Sequence, residues 1–185
     1  MGKQITRVKT VTRTFRLDEK LHGMLEEEAE REKISVNSLL SKILWNYHNR
    51  CHYCLHYDLL LVEPVIFKTM LENMTEEAIE KFSSAQGPSI VKENISRLGM
   101  SVSRESIEFI VAETLGHWTK WYDADVNQTA HGRTYYLHHM LGEKWSLFLK
   151  YFFKQAIAEL LDLQVTIQTT ENSITFALPT PAKPI

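Results

Sequence analysis

The sequence predicts an α+β protein in which a short strand and two helices precede a larger, mainly helical domain that ends β-β-α-β-β. Two observations lead to this fold class. Between Val11 and Tyr47 the spacing of apolar residues changes from every second residue to the helical period of about 3.6. Near the C-terminus, a long helical pattern lies between two pairs of alternating, strand-like segments. We expect a first domain over residues 1–50, a second over residues 51–179 and a disordered tail over residues 180–185.

The first predicted element is a strand over residues 11–17, because successive strand side chains point to opposite faces. One face carries Val11, Phe15 and Leu17, and the other carries Thr12, Thr14 and Arg16. A strand this short has no partner within its own segment. We therefore expect it to pair with the same strand of a second copy, which forms a two-stranded ribbon between subunits.

Two amphipathic helices are predicted to follow the strand. Asp18 is a good N-cap for the first helix, and Ser35 is a good N-cap for the second. The inward side chains of the first helix are predicted to be Leu21, Met24, Leu25 and Ala29. The inward side chains of the second are predicted to be Val36, Leu39, Leu40, Ile43, Leu44 and Tyr47.

Three motifs occur together in this segment: T-x-T-x-R-L-D in the strand, L-x-x-x-L in the first helix and I-S-V-N-S-L-L at the start of the second helix. With them, residues 10–48 resemble the ribbon-helix-helix repressors, which are DNA-binding proteins of the MetJ and Arc type. The resemblance implies a homodimer whose paired strands enter the major groove of double-stranded DNA. It also implies that Thr12, Thr14 and Arg16 face the bases.

The chemistry of these residues suits such contacts. Arginine donates two hydrogen bonds to guanine, and threonine bonds a base edge or touches a thymine methyl group. Backbone amides at the start of the second helix, at Ser35, Val36 and Asn37, would meet a phosphate. Lys9 would add salt-sensitive affinity. Arg13 stands where the family usually has an aliphatic residue, and its guanidinium is expected to reach a phosphate.

The distribution of charge favours the same partner. Residues 1–17 contain five cations and no acid, whereas residues 18–33 contain seven acids and three cations, although the net charge is only −2. A cationic arm beside an anionic helix suggests that one surface meets a polyanion. No apolar run is long enough for a membrane span, and no signal peptide is evident. We expect a cytoplasmic protein with no membrane partner.

Residues 48–56 read HNRCHYCLH and leave three interpretations open. His48, Cys51, His52 and Cys54, with His56 close by, offer ligands for zinc, nickel or copper, which predicts a metal-responsive regulator. Alternatively, the thiols continue the buried stripe of the second helix as small core residues. The third interpretation is that the two cysteines form a redox sensor. No cofactor is required by the sequence, and a transition metal is the one candidate.

The second domain is predicted element by element. Helices are expected over PVIFKTMLENM, EEAIEKFSSA, SIVKENISRLG and RESIEFIVAETLGHWTKW, with a turn at Gly87-Pro88-Ser89 between the second and third. Thr75 is the expected cap of the second helix, and Ser101 or Ser103 that of the last. Two β-hairpins, WYDADVNQT with GRTYYLHHM and VTIQT with SITFALP, are expected to flank the long helix EKWSLFLKYFFKQAIAELLD.

These features predict a sequence-specific DNA-binding transcriptional regulator, either a homodimer or a dimer of dimers. The second domain would sense a small-molecule or metal effector or mediate oligomerisation. An antitoxin, whose C-terminal region neutralises a partner protein, is an alternative. An enzyme is not expected, although Asp123, Asp125, His131, His138 and His139 are acid–base candidates. A set of aromatic residues could line a pocket for an aromatic ligand, although such sets more often belong to the hydrophobic core. These residues are Trp118, Trp121, Tyr135, Tyr136 and Trp145.

Overall fold

The structure, a computed structural model, describes residues 11–48, 62–129 and 132–180. The chain divides into two compact units, Met1–Tyr47 and His48–Ile185, which are described separately. The division falls a few residues before the boundary expected after residue 50. The predicted disordered tail lies, apart from Thr180, outside the described residues.

The described part of the first unit, residues 11–47, contains two helices, α1 (Glu19–Glu32) and α2 (Val36–Asn46). Both predicted caps are confirmed: Asp18 Oδ1 accepts the Leu21 N–H at 2.8 Å, and Ser35 Oγ accepts the Ser38 N–H at 3.1 Å. Residues 11–18 have no regular secondary structure in this single chain. The intersubunit ribbon requires a second chain and therefore stays a prediction.

The second unit begins with helices α3 (Pro64–Glu72), α4 (Glu76–Arg97) and α5 (Arg104–Phe109). Thr75 and Ser103 cap α4 and α5 as expected, with Oγ1 of Thr75 accepting from Ala78 and Oγ of Ser103 from Ser106. A π-helix (Ile110–Trp118) follows α5 directly. Within the part of the chain that the structure describes, no helix meets the length and apolarity that a membrane crossing requires.

The predicted β-β-α-β-β order is confirmed, and with it the α+β class. Strands β1 (Asp123–Thr129) and β2 (Gly132–His138) form one hairpin, and β3 (Ile167–Thr170) and β4 (Ser173–Pro179) form the other, with α6 (Glu143–Leu161) between them. The strands make a four-stranded antiparallel sheet in the order β1-β2-β4-β3. Helix α6 packs against β3, β4 and α4, so it forms the centre of this unit.

Aromatic side chains of α6 fill the core. Trp145 stacks on Phe148 with ring centroids 4.6 Å apart, and Trp121 lies edge-on against Phe152 at 5.5 Å. Tyr135 stacks on Phe176 at 5.1 Å. These rings pack on one another, so Trp121, Tyr135 and Trp145 are core residues.

The turn predicted at Gly87-Pro88-Ser89 is wrong, because α4 runs without a break from Glu76 to Arg97. Gly87 and Pro88 are both buried within it. A Cβ added to Gly87 would overlap the backbone carbonyl group of Phe152. It would lie 3.0 Å from the carbonyl carbon and 3.2 Å from the Cα of Phe152. Only a residue without a side chain allows α4 and α6 to approach this closely. The packing of the two helices therefore outweighs the local preference for a turn.

Candidate nucleic-acid interface

The predicted base-reading segment is exposed over its whole length. Every residue from 11 to 20 is exposed, including Thr12, Thr14 and Arg16. The apolar side chains of the other predicted face are exposed as well, with Val11 at 71% and Phe15 at 58% of their full area. A stretch that exposes several large apolar residues to water is typical of a segment that pairs with another chain.

The predicted phosphate contacts lie at the start of α2. The Ser35 hydroxyl accepts a hydrogen bond from the Ser38 amide and lies 2.8 Å from the Ser38 hydroxyl. The Ser35 side chain therefore caps the helix. The Leu39 amide donates to the Ser35 carbonyl at 2.9 Å. First-turn amides such as those of Val36 and Asn37 have no carbonyl partner inside an α-helix. Their position at a positive helix end suits an anion.

The buried core of the first unit is very small. Among the described residues of this unit, the buried apolar ones are Leu25, Ala29 and Leu39, with Val36 and Leu40 partly buried against them. Other side chains that the helical pattern predicts to face inward are exposed: Leu21 (41%), Met24 (58%), Ile43 (44%), Leu44 (60%) and Tyr47 (51%). For the single chain, the predicted inward positions are thus only half confirmed. A helix pair with so little burial needs a partner for stability.

Two basic side chains of the helices pair with acids of α1. Lys42 Nζ lies 2.6 Å from Glu32, and the Arg31 guanidinium lies 2.7 Å from Glu28. Arg13 and Arg16 precede α1 and are not part of these pairs. Both arginines are exposed and carry positive charge within the segment that precedes α1.

Several predicted site residues lie outside the described residues. These are Lys9, Cys51, His52, Cys54, His56 and His131. His48 lies at the last described position before that gap, directly after Tyr47, the C-cap of α2. Among the residues that the structure describes, no group of three or more His, Cys, Asp or Glu side chains is placed to hold a metal ion. The metal-responsive alternative thus stays a prediction.

The acid–base candidates of the second unit separate into two environments. His138 Nε2 lies 3.9 Å from Asp125 on the exposed surface of the β1–β2 hairpin, where both side chains are more than half exposed. Asp123 pairs with Lys120 at 3.0 Å, also in solvent. His139, in contrast, is buried with 7% of its area exposed. The structure does not bring these four side chains into one site.

His139 takes part in a polar network that the sequence did not reveal. Its Nδ1 accepts the Leu141 N–H at 3.3 Å, and its Nε2 lies 2.9 Å from Ser146 Oγ. Because Nδ1 accepts, the ring proton is on Nε2 and is donated to Ser146. The backbone N–H of His139 donates to the Asn172 carbonyl at 2.9 Å. The neutral ring therefore connects the turn before α6 to Ser146 in the first turns of α6, and the backbone of His139 reaches the tip of the β3–β4 hairpin.

Acid should weaken the second unit through this histidine. Burial, with a smaller contribution from the charge of His138, lowers the pKa of His139 from 6.5 to about 4. Between these values the unfolded chain binds a proton that the folded chain does not, so the free energy of unfolding falls as the pH drops from 6.5 to 4. In the His139→Gln variant, the free energy of unfolding should fall less between pH 7 and pH 4.5 than in the wild type, by on the order of 2–3 kcal/mol. Urea unfolding at pH 4.5 and pH 7 measures it.

The adjacent histidine provides a matched control for this prediction. His138 is 57% exposed and makes only the smaller contribution to the lowered pKa of His139, so the His138→Gln variant should retain most of the pH dependence of the wild type. Equal pH dependence in the wild type and in His139→Gln would contradict the assignment of a neutral, buried imidazole.

A second buried polar group connects α5 to β2. Glu108, with 8% of its side chain exposed, accepts from Arg104 Nε at 2.9 Å and also pairs with Arg133. Burial and the nearby Glu108 carboxylate raise the pKa of Tyr135 to about 12. Glu108 and Arg133 are 25 positions apart in sequence, so no local spacing predicts this pair.

Comparison of the chain with protein-family models, with curated proteins and with solved structures found no match.

Proposed function

We propose that this protein is a sequence-specific DNA-binding transcriptional regulator that acts as a homodimer. The observation that carries the proposal is the exposed segment 11–17, which alternates apolar with hydroxyl and guanidinium side chains and leads into two capped helices. In this role the second unit would respond to an effector or join dimers together. We also propose that the protein is cytoplasmic.

The small core of the first unit supports dimerisation. Pairing two copies of residues 11–17 would cover Val11, Phe15 and Leu17, which a single chain leaves in water. It would also satisfy the backbone hydrogen-bonding groups of both segments. Exposed apolar residues of α1 and α2, such as Met24 and Leu44, would lie against the second copy.

Base reading follows from the face that this pairing leaves outside. Thr12, Thr14 and Arg16 of each copy would project from the ribbon into the major groove, which is wide enough to admit two strands. The amides of Val36 and Asn37 would fix the depth of insertion by binding a phosphate, as helix N-termini do. Arg13 would contact the backbone and add affinity without sequence preference.

Removing the guanidinium of Arg16 tests the proposal directly. The Arg16→Ala variant should bind a DNA site selected by the wild type with a free energy weaker by about 1–3 kcal/mol, and should discriminate less at one base pair. Selection from a random DNA pool identifies the site, and fluorescence anisotropy at fixed salt measures the affinities.

The control for charge is the Arg31→Ala variant. Arg31 lies in the last turn of α1, 73% exposed and paired with Glu28. Its replacement removes the same charge from the same unit but no predicted base contact, so base preference should be unchanged. If wild type selects no sequence, or if Arg16→Ala discriminates as well as the wild type, the proposed ribbon is wrong.

A further inference from the structure

Strand β1 lies at one edge of the sheet. Among the described residues it pairs with β2 alone, in a register that sets Asp123 opposite His138 and Asp125 opposite Tyr136. The residues of an antiparallel strand direct their backbone N–H and C=O groups alternately toward and away from a given neighbour. Every second residue of β1 therefore has its backbone groups on the side that no described strand covers.

The hydrogen bonds of β2 identify these residues. The His139 N–H, just after β2, donates to the Asn172 carbonyl at 2.9 Å on the side of β4. By alternation the preceding residue, His138, directs its backbone groups toward β1. Its partner Asp123 thus pairs with β2, as does every second residue after Asp123, and the residues between them point their backbone groups outward.

A groove lies on this outer side of β1, between the strand and the π-helix. It has a volume of about 620 Å³ and follows β1 from Asp123 to Val126, about 13 Å at 3.3 Å per residue. Its buried or half-buried lining residues are small: Ala112, Gly116 and Ala124. A Cβ added to Gly116 would lie 3.2 Å from the Cβ of Ala124, so helix and strand approach closely at the bottom of the groove.

Two residues of β1 present unpaired backbone groups to the groove. Ala124 and Val126 both line it, and both are outward residues by the alternation above. No hydrogen bond from the described residues reaches their outward N–H and C=O groups. Backbone groups two residues apart along an edge are the pattern that an added strand pairs with.

The exposed side chains of the groove are mainly acidic. They are Glu113, His117, Lys120, Asp123, Asp125 and Val126. Lys120 pairs with Asp123 at 3.0 Å, so these two charges offset each other. Glu113 has no ion pair among the described residues, and Asp125 has only His138 at 3.9 Å. Carboxylates on the π-helix and on β1 thus face the groove from both of its sides.

We propose that the groove binds an extended basic peptide segment of a partner protein, which joins the sheet as a fifth strand beside β1. The N–H and C=O groups of Ala124 and Val126 pair with the peptide backbone, as in other complexes that add a strand to a sheet edge. A lysine or arginine opposite Asp125 meets that carboxylate. The next side chain of the peptide points to the other face, toward Glu113, because strand side chains alternate.

Charge selects this partner over the alternatives. A β1 strand from a second copy would bring its own Asp123 and Asp125 to the same edge, where like charges repel. DNA would bring its phosphates to the same carboxylates. A basic peptide pairs with these carboxylates and also supplies backbone groups for the edge. The inference goes beyond the proposed DNA-binding role and does not depend on it, since residues 11–17 take no part.

Selection of peptides tests the class of partner. The full-length protein, immobilised without DNA, is offered random eight-residue peptides displayed on phage. Binders should be enriched in lysine and arginine and depleted in acidic residues and proline, because proline lacks the N–H that a strand donates. A labelled synthetic peptide of the most enriched sequence is then titrated by fluorescence anisotropy. If no sequence is enriched, or if acidic peptides dominate, the proposal is wrong.

A proline at the strand edge locates the binding. Val126→Pro removes an outward N–H but no bond to β2, which is where a sheet tolerates proline. The Kd of the selected peptide should rise at least about tenfold, with the thermal unfolding of the variant as the check on its fold. Thr169→Pro is the matched control, because Thr169 is exposed and directs its N–H outward at the opposite edge, on β3. Its Kd should equal that of the wild type.

Removing charge decides the case even if the proline variant does not fold. The double variant Glu113→Gln with Asp125→Asn should bind the selected peptide at least about tenfold more weakly and with a smaller dependence on salt. The control removes two exposed acids elsewhere in the second unit, Glu143→Gln with Glu171→Gln, and should bind as the wild type does. Unchanged binding in the first pair, or an equal loss in both pairs, overturns the groove as the site. None of these measurements uses DNA, so their failure is distinct from a failure of the DNA-binding proposal.

Discussion

Replacing Gly87 with alanine should lower the free energy of unfolding of the second unit by about 3 kcal/mol. The new methyl group would meet the backbone carbonyl of Phe152 rather than a movable side chain, so relief requires α4 and α6 to move apart. That shift would loosen the aromatic core around Phe152 and Phe153, both of which are buried. Urea unfolding followed by tryptophan fluorescence measures the loss.

A glycine in α1 provides the matched control. Gly23 is also inside a helix, but nothing lies within 4 Å of an added Cβ. Gly23→Ala should therefore raise helix stability by about 0.5–1 kcal/mol, the usual gain of alanine over glycine. Opposite signs for the two substitutions would support the close approach of α4 and α6. A Gly87→Ala variant as stable as the wild type would contradict it.

The second large effect is expected at Phe15. In the proposed ribbon its ring packs between the two copies, so Phe15→Ala removes apolar contact twice in each dimer. Affinity for the selected DNA site should fall at least about 100-fold, equivalent to 2.7 kcal/mol. Anisotropy titration measures the affinity, and circular dichroism at the titration concentration reports whether α1 and α2 remain folded.

Phe82 offers a comparison of the same residue type. It is 51% exposed, close to the 58% of Phe15, and lies 6.2 Å from Phe148 in the second unit. Phe82→Ala should leave single-site affinity unchanged. A Phe15→Ala chain that is monomeric and still binds the site as the wild type does would rule out the ribbon mechanism.

The elements of this fold that were predictable from sequence are those that depend on neighbouring residues. The caps Asp18, Ser35, Thr75 and Ser103 were readable because a side-chain oxygen before an apolar run meets an amide three residues later. The two hairpins were readable from alternation and turn residues. All of these signals act over a few positions.

The features that were not predictable depend on contacts far apart in sequence. Gly87 and Phe152 are distant along the chain, and nothing near Gly87 signals that a helix would cross there. The π-helix after α5 was predicted only as a helix, because an apolar stripe does not separate a wider helix from an ordinary one. At the candidate site, the sequence was enough to propose the base-facing residues. The small size of the core of the first unit was visible only in the structure.

Among residues 11–47, only three side chains form the buried core of the first unit, and this has a consequence for how the protein responds to its own abundance. In the proposed dimer, folding of residues 11–46 is coupled to association, so its melting temperature rises with concentration, as in any obligate dimer. Newly made chains at low copy number would lack a formed DNA-reading end. Occupancy of the target would then increase more steeply than in proportion to expression, which gives the regulator a threshold without any effector.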